Sequence, residues 1–143
     1  MDGCEVIGAY LAEKLADSGI MSMNAHKTMY VATPEMNPGG QLIFRDNMQM
    51  MIYGKHCLLL LASATTGRTI ARALECINYY GGIVEGVSAI FSASNNVNGI
   101  KVTSIFGKKD IPEYQTYDVN NCPMCQRKQK IDAIVNSYGY SKL

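Results

Sequence analysis

The stretch Leu58–Leu74, LLLLASATTGRTIARAL, decides how the chain is read. The apolar run 57–62 has the character of a strand buried on both faces of a parallel sheet. It passes into a turn of small and hydroxyl-bearing residues, and a helical pattern follows over 67–80. Ile70, Leu74 and Ile77 line one face of that helix, while Arg68, Arg72 and Glu75 lie mostly elsewhere. Gly81 and Gly82 stop it, and IVEGVSAIFS at 83–92 reads as the next strand. Strand, helix and strand over 57–92 form one βαβ unit with parallel strands. That unit predicts an α/β fold with an open, doubly wound, mainly parallel sheet. Ligands of such sheets sit beyond the carboxyl ends of the strands, where the turn 63–67 lies.

Outward from this unit, residues 4–18 read as a helix with Ile7, Leu11 and Leu15 on one stripe and Gly19 as its C-cap. TMYVAT at 28–33 reads as a strand ending at Pro34, PEMNPGG as a loop, and QLIFR at 41–45 as a returning strand, the whole making a long hairpin arm. ASNNVNG is a turn-rich loop before a strand at 100–106. A tail at about 110–143 carries Pro112, the CPMC at 122–125 and a short helix near 127–136. A doubly wound fold wants a strand before its first helix, so that strand is expected from elsewhere or from residues upstream.

The totals set the bounds. A length of 143 residues predicts one domain, and 48% hydrophobic residues is ordinary for a globular core. A net charge of +1 advertises no nucleic acid or other polyanion, and Arg127, Lys128 and Lys130 read as a solvated face. No run approaches the roughly 18 apolar residues of a membrane span. Five cysteines without a signal-peptide pattern predict a reducing cytoplasm. Met48, Met50 and Met51, among nine methionines, suit either a soft core edge or a subunit interface.

The turn itself has the makings of a phosphate cradle. The small side chains of Ala62–Ala64 admit a ligand close to the backbone, Gly67 permits unusual dihedrals, and Thr65, Thr66 and Thr69 add hydroxyls. The following helix aims its positive end at the same place. Ala64, Thr65, Thr66, Gly67, Arg68 and Thr69 are therefore the candidate phosphate ligands. A plain strand-to-helix turn capped by threonine fits the same spacing. The spacing of a Walker loop is absent.

LLLLASATTGRTI resembles the phosphoribosyl-pyrophosphate (PRPP) motif of the type I phosphoribosyltransferases, with Thr65, Thr66, Gly67 and Thr69 in its T-T-G-x-[ST] positions. MDGCEVIGAYLAEKL resembles that family's pyrophosphate loop and first helix, and ATPEMNPGGQLIFRDN its mobile arm. CPMCQRKQKIDAIVNSYGYSKL is similar to the C-terminal end of a bacterial group labelled orotate phosphoribosyltransferase. The resemblance implies that the threonine loop holds the 5′-phosphate of PRPP, and that Asp2, Gly3 and Cys4 meet pyrophosphate. It further implies Mg²⁺ accompanying PRPP, a homodimer, and longer members with an N-terminal strand and hood region that this chain lacks. One reading is thus transfer of ribose 5-phosphate to orotate, giving orotidine 5′-phosphate and pyrophosphate.

The departures are specific. The two acidic positions of the motif hold Leu61 and Ala62, and no catalytic residue can be assigned. Between Thr33 and Asn47 the only cation is Arg45, with His26 and Lys27 upstream and Lys55 and His56 downstream. Asp2 or Glu5 could stand in near a metal. A non-catalytic module that senses PRPP or a nucleotide, and a structural subunit with an empty site, stay open beside the enzyme.

Cys122 and Cys125 form a single C-x-x-C, whereas structural zinc wants four ligands. Zinc is not the expected occupant, since Cys4, Cys57, Cys76, His26 or His56, or a second subunit, would have to complete the set. A redox role needs a lowered thiol pKa. Structural, metal and redox readings all stand for this pair. Cys57 and Cys76 fall on predicted core elements and read as buried hydrophobes.

Overall fold

Helix α1 spans Glu5–Asp17, and none of its residues is buried. Ile7, on the expected apolar stripe, is 41% exposed. Its anchor is the residue before it: Cys4 is buried, and its carbonyl accepts from the amide of Gly8. These coordinates form a computed structural model that describes residues 3–17, 29–136 and 138–143. Gly19, His26, Lys27 and Asp2 lie outside the described residues.

The expected strand at 28–33 is not found: residues 29–33 carry no regular structure. Tyr30 and Val31 favour strands, but a strand exists only through a ladder, and no strand partner lies beside them among the described residues. The arm is correspondingly shorter than expected. Strands β1 (Glu35–Met36) and β2 (Leu42–Ile43) pair antiparallel: β2 lies within the strand expected at 41–45, and β1 forms inside the segment read as a loop. Asn37 organises its turn. Its side-chain oxygen accepts from the Gln41 amide at 2.9 Å, and its carbonyl accepts from Gly40. A 3-10 helix, Asp46–Met51, follows. Met48 packs against the core and Met50 is 76% exposed.

The main sheet contains β3 (His56–Ala64), β4 (Ile83–Ser92), β5 (Asn96–Val97) and β6 (Ile100–Gly107), in the order β3-β4-β6-β5. β3, β4 and β6 run parallel, and β5 returns antiparallel on β6. The tight turn into β6 is Asn98–Gly99, both at positive φ, as a primed hairpin turn requires. Helix α2 (Arg68–Tyr79) makes the crossover from β3 to β4 and lies against β3, β4 and β2. The architecture is therefore α/β with a mixed, mostly parallel four-stranded sheet.

β3 is not buried on both faces. Leu59, Leu61 and Ala64 are buried, whereas Leu58 is 48% exposed. Among the described residues β3 has β4 as its single strand neighbour; one face packs on α2, and Leu58 and Leu60 on the other line a cleft with Gly8 and Leu11 of α1. Leu59 and Leu61 join Ile70, Ala73, Leu74 and Ile77 of α2, with Val87, Ala89 and Val102 of the neighbouring strands. Phe44 carries the arm into this core and meets the Tyr80 ring edge-on at 5.6 Å between centroids. Each fully buried aliphatic side chain contributes about 1.5–3 kcal/mol. The core thus depends on α2 lying flat across β3 and β4, which fixes where α2 begins.

The chain divides into two compact units, Met1–Pro112 and Glu113–Leu143. In the second, Asp118 caps a 3-10 turn by accepting from the Asn120 amide. Helix α3 is one turn, Pro123–Gln126. Strands β7 (Ala133–Asn136) and β8 (Gly139–Lys142) then pair antiparallel. The helix expected near 127–136 is not formed. Lys128 takes a left-handed conformation that breaks the helix, and the β-branched Ile134 and Val135 enter a strand. Among the described residues no helix is long and apolar enough to cross a membrane.

Candidate phosphate-binding site

At the carboxyl ends of the parallel strands, Ala64 is level with Ser92 of β4, and Ser92 with Gly107 of β6. The chain leaving β3 forms a pocket of about 150 Å³ lined by Ser63 through Ile70. Ala64, Thr65, Thr66, Gly67, Arg68 and Thr69 are thus brought together around one concavity, with Thr65, Thr66 and Thr69 exposed. The N-cap of α2 is Gly67, in the left-handed region at φ 77 and ψ −4. No threonine takes the cap position. The first amides of α2 open toward the pocket, and their aligned dipoles favour an anion there.

A second layer holds the loop in place. The Ala93 amide donates to the Ala64 carbonyl at 2.8 Å. Ser92 is buried, its hydroxyl donates to the Ser94 carbonyl at 2.6 Å, and the Ser94 amide returns a longer bond. This turn delivers Val97 beneath Gly67, where a Cβ on the glycine would lie 2.9 Å from Val97 Cγ2. Ser63, Ser92 and Val97 were not among the residues singled out from the sequence. The register of β4 against β3 reveals Ser92, and the β5–β6 hairpin brings Val97 to Gly67.

The acid positions of the motif are structurally unlike one another. Leu61 is 2% exposed and opposite Ala89, so it is a core residue facing α2. Ala62 is exposed.

Of the expected pyrophosphate residues, Gly3 and Cys4 lie away from this pocket. Cys4 lines a larger, mainly apolar cleft of about 790 Å³ together with Glu5, Gly8, Leu58 and Leu60, and Gly3 is exposed at φ 85. Neither contributes to the small pocket at 63–70. Hydrogen bonds from the amides of Glu5 itself and Gly3, and from the Thr33 hydroxyl, hold the Glu5 carboxyl below its usual range.

Two basic residues of the arm region pair with carboxylates. Arg45 makes a two-pronged pair with Glu35, at 2.7 and 2.6 Å, and each keeps the other ionised. His56 pairs with Glu85 across β3 and β4. Among the described residues no three His, Cys, Asp or Glu side chains converge on one point.

Cys76 is buried and Cys57 half-buried, and desolvation pushes both thiols up, as expected of inert core cysteines. No protein-family model matches the chain, and no curated protein matches it.

Proposed function

We propose that this chain binds the phosphate of a sugar phosphate or nucleotide at Ala64–Thr69, as a phosphoribosyltransferase-like protein of the doubly wound type with little transferase activity of its own. The observation that carries the reading is the left-handed Gly67 at the start of α2, with Thr65, Thr66 and Thr69 gathered on one small pocket. Backbone amides, hydroxyls and the helix dipole can hold a phosphate dianion without any metal. Leu61 favours sensing over turnover. In orotate-type transfer a carboxylate at that position would stabilise the ribosyl cation, and a core leucine facing α2 cannot. PRPP or a nucleotide as ligand, a homodimer and a cytoplasmic setting complete the reading. The homodimer rests on exposed Met50 and on the open apolar flank at Leu58.

Isothermal titration with ribose 5-phosphate, PRPP and orotidine 5′-phosphate, with and without Mg²⁺, tests this. Binding of ribose 5-phosphate that is independent of Mg²⁺ is the expected result. No binding of any of the three would overturn the proposal. Efficient consumption of orotate with PRPP would instead favour the enzyme.

A further inference from the structure

The C-x-x-C of the second unit plays no part in the phosphate site. Cys122 ends the 3-10 turn and Cys125 sits within the single turn of α3. The turn is closed by backbone bonds from Gln126 to the Cys122 carbonyl and from Lys128 to the Cys125 carbonyl, each at 3.0 Å. Both sulfurs therefore lie on one side of a one-turn scaffold. Cys125 is exposed and Cys122 partly so, and no described residue of this unit is buried. A solution reagent can reach the pair. Arg127 is anchored by its amide and its Nε to the Pro123 carbonyl, at 3.2 and 3.3 Å, which keeps its charge beside the turn.

The two thiols are not equivalent. Hydrogen bonding from the Cys125 amide, then from the Cys125 thiol, with smaller help from the Met124 amide and the Arg127 charge, holds Cys122 below the usual thiol range. Neither amide is aligned well enough to make a full cap bond to the sulfur, so the effect comes from several weak donors. The same contact pushes Cys125 up. Tetrahedral zinc would need two further ligands, and among the described residues no third His, Cys, Asp or Glu joins this pair. A disulfide needs only the two sulfurs.

We propose that Cys122 and Cys125 form a reversible dithiol–disulfide pair, with Cys122 as the attacking thiolate and Cys125 as the resolving thiol. The oxidant is a small-molecule disulfide, RSSR. The Cys122 thiolate attacks one sulfur, the S–S bond of RSSR breaks, and RS⁻ leaves with the electron pair and takes a proton from solvent. Cys125 then loses its proton to solvent and attacks Cys122 Sγ, which expels the second RS⁻. In sum, two protein thiols and RSSR give one protein disulfide and two RSH, a two-electron exchange.

The test uses the full chain and oxidised glutathione, with acid quenching, alkylation and peptide mass analysis. The expected result is joint loss of the Cys122 and Cys125 thiols into one intramolecular disulfide, reversed by dithiothreitol. Cys125→Ser should accumulate glutathione on Cys122, with a rate midpoint below the ordinary thiol value of about 8.5. Cys122→Ser should form a mixed disulfide at Cys125 roughly tenfold more slowly. In the unaltered chain, limiting glutathione should label Cys122 first, which makes the assignment independent of how the variants fold. Preferred labelling of Cys125, or two thiols that react at the free-thiol rate and never pair, would overturn it. So would a zinc ion shared by two chains that protects both cysteines from alkylation until it is chelated.

Discussion

A Cβ atom on Gly67 would lie 2.9 Å from Cγ2 of Val97. The phosphate loop is thus closed from below by a side chain that the β4–β5 turn delivers, and it has no room for a larger residue at its pivot. Two separate costs follow from Gly67→Ala. One is the left-handed backbone, worth about 1–2 kcal/mol for a residue with a Cβ; the other is the clash. Gly67→Ala should therefore weaken ribose 5-phosphate binding and lower stability. Adding Val97→Ala should recover the clash component and leave the backbone component. If titration and denaturant unfolding show that Val97→Ala recovers nothing, the closure from below is not what constrains the loop.

Gly82 carries a different constraint. A Cβ there would meet Ile77 Cγ2 at 2.7 Å, Ile52 Cγ2 at 3.0 Å and Cys57 Sγ at 3.2 Å. Three core neighbours cannot all yield, so Gly82→Ala should cost about 1–3 kcal/mol by overpacking. Urea unfolding reads that loss directly. Full stability in the single variant would mean that the junction between α2 and β4 is looser than these distances.

The pair Glu35–Arg45 ties β1 to the second residue after β2. Its folded carboxyl is depressed, chiefly by the Arg45 hydrogen bonds. The pair's contribution is therefore complete above the unfolded carboxylate range, near pH 4.3, and is lost as pH falls through the lower folded value. Both partners are well exposed, so salt should weaken the pair as acid does. NMR titration of Glu35 should give a midpoint below the ordinary carboxylate value, moving back toward it in high salt and in Arg45→Gln. A normal midpoint in the unaltered chain would show that the pair does not persist in solution.

The βαβ unit was legible because its signals are local and agree. The apolar run, the helical face at Ile70, Leu74 and Ile77, and the stop at Gly81 and Gly82 all point to the same elements. The gathering of Ala64–Thr69 around one pocket was legible for the same reason, the six being consecutive. What failed depended on partners. Residues 29–33 have strand propensity without a ladder, and the Leu58 side of β3 is covered only by a loose cleft lined by α1 and residues 29–33. The tail followed a helical reading past Lys128, whose left-handed backbone has no sequence signal as strong as a glycine. Ser92 was hidden because only the β3–β4 register sets it level with Ala64, and Val97 because it reaches Gly67 only through the fold.

Leu61 and Ala62, the positions where the proposed motif would carry acids, would not accept them equally. Leu61 is 2% exposed and packs toward α2, so Leu61→Glu buries a carboxylate with no partner. An uncompensated buried charge costs about 3–5 kcal/mol, enough to unfold a marginal domain. Ala62 is exposed beside the pocket, and Ala62→Asp should change stability by no more than about 0.5 kcal/mol. Activity should follow the same asymmetry. One positioned electrostatic group is commonly worth about 10²–10³ in rate, and this chain lacks two such groups. Orotate consumption with PRPP and Mg²⁺ should therefore be near background in the unaltered chain. Ala62→Asp should stay folded, bind ribose 5-phosphate as before, and acquire a Mg²⁺ dependence in PRPP binding that the unaltered chain does not show. Leu61→Glu should lose its thermal transition before any activity can be read. Turnover by the unaltered chain at an ordinary enzyme rate, about 10 s⁻¹, would mean that the acidic positions are dispensable here and that the chain is an enzyme rather than a sensor.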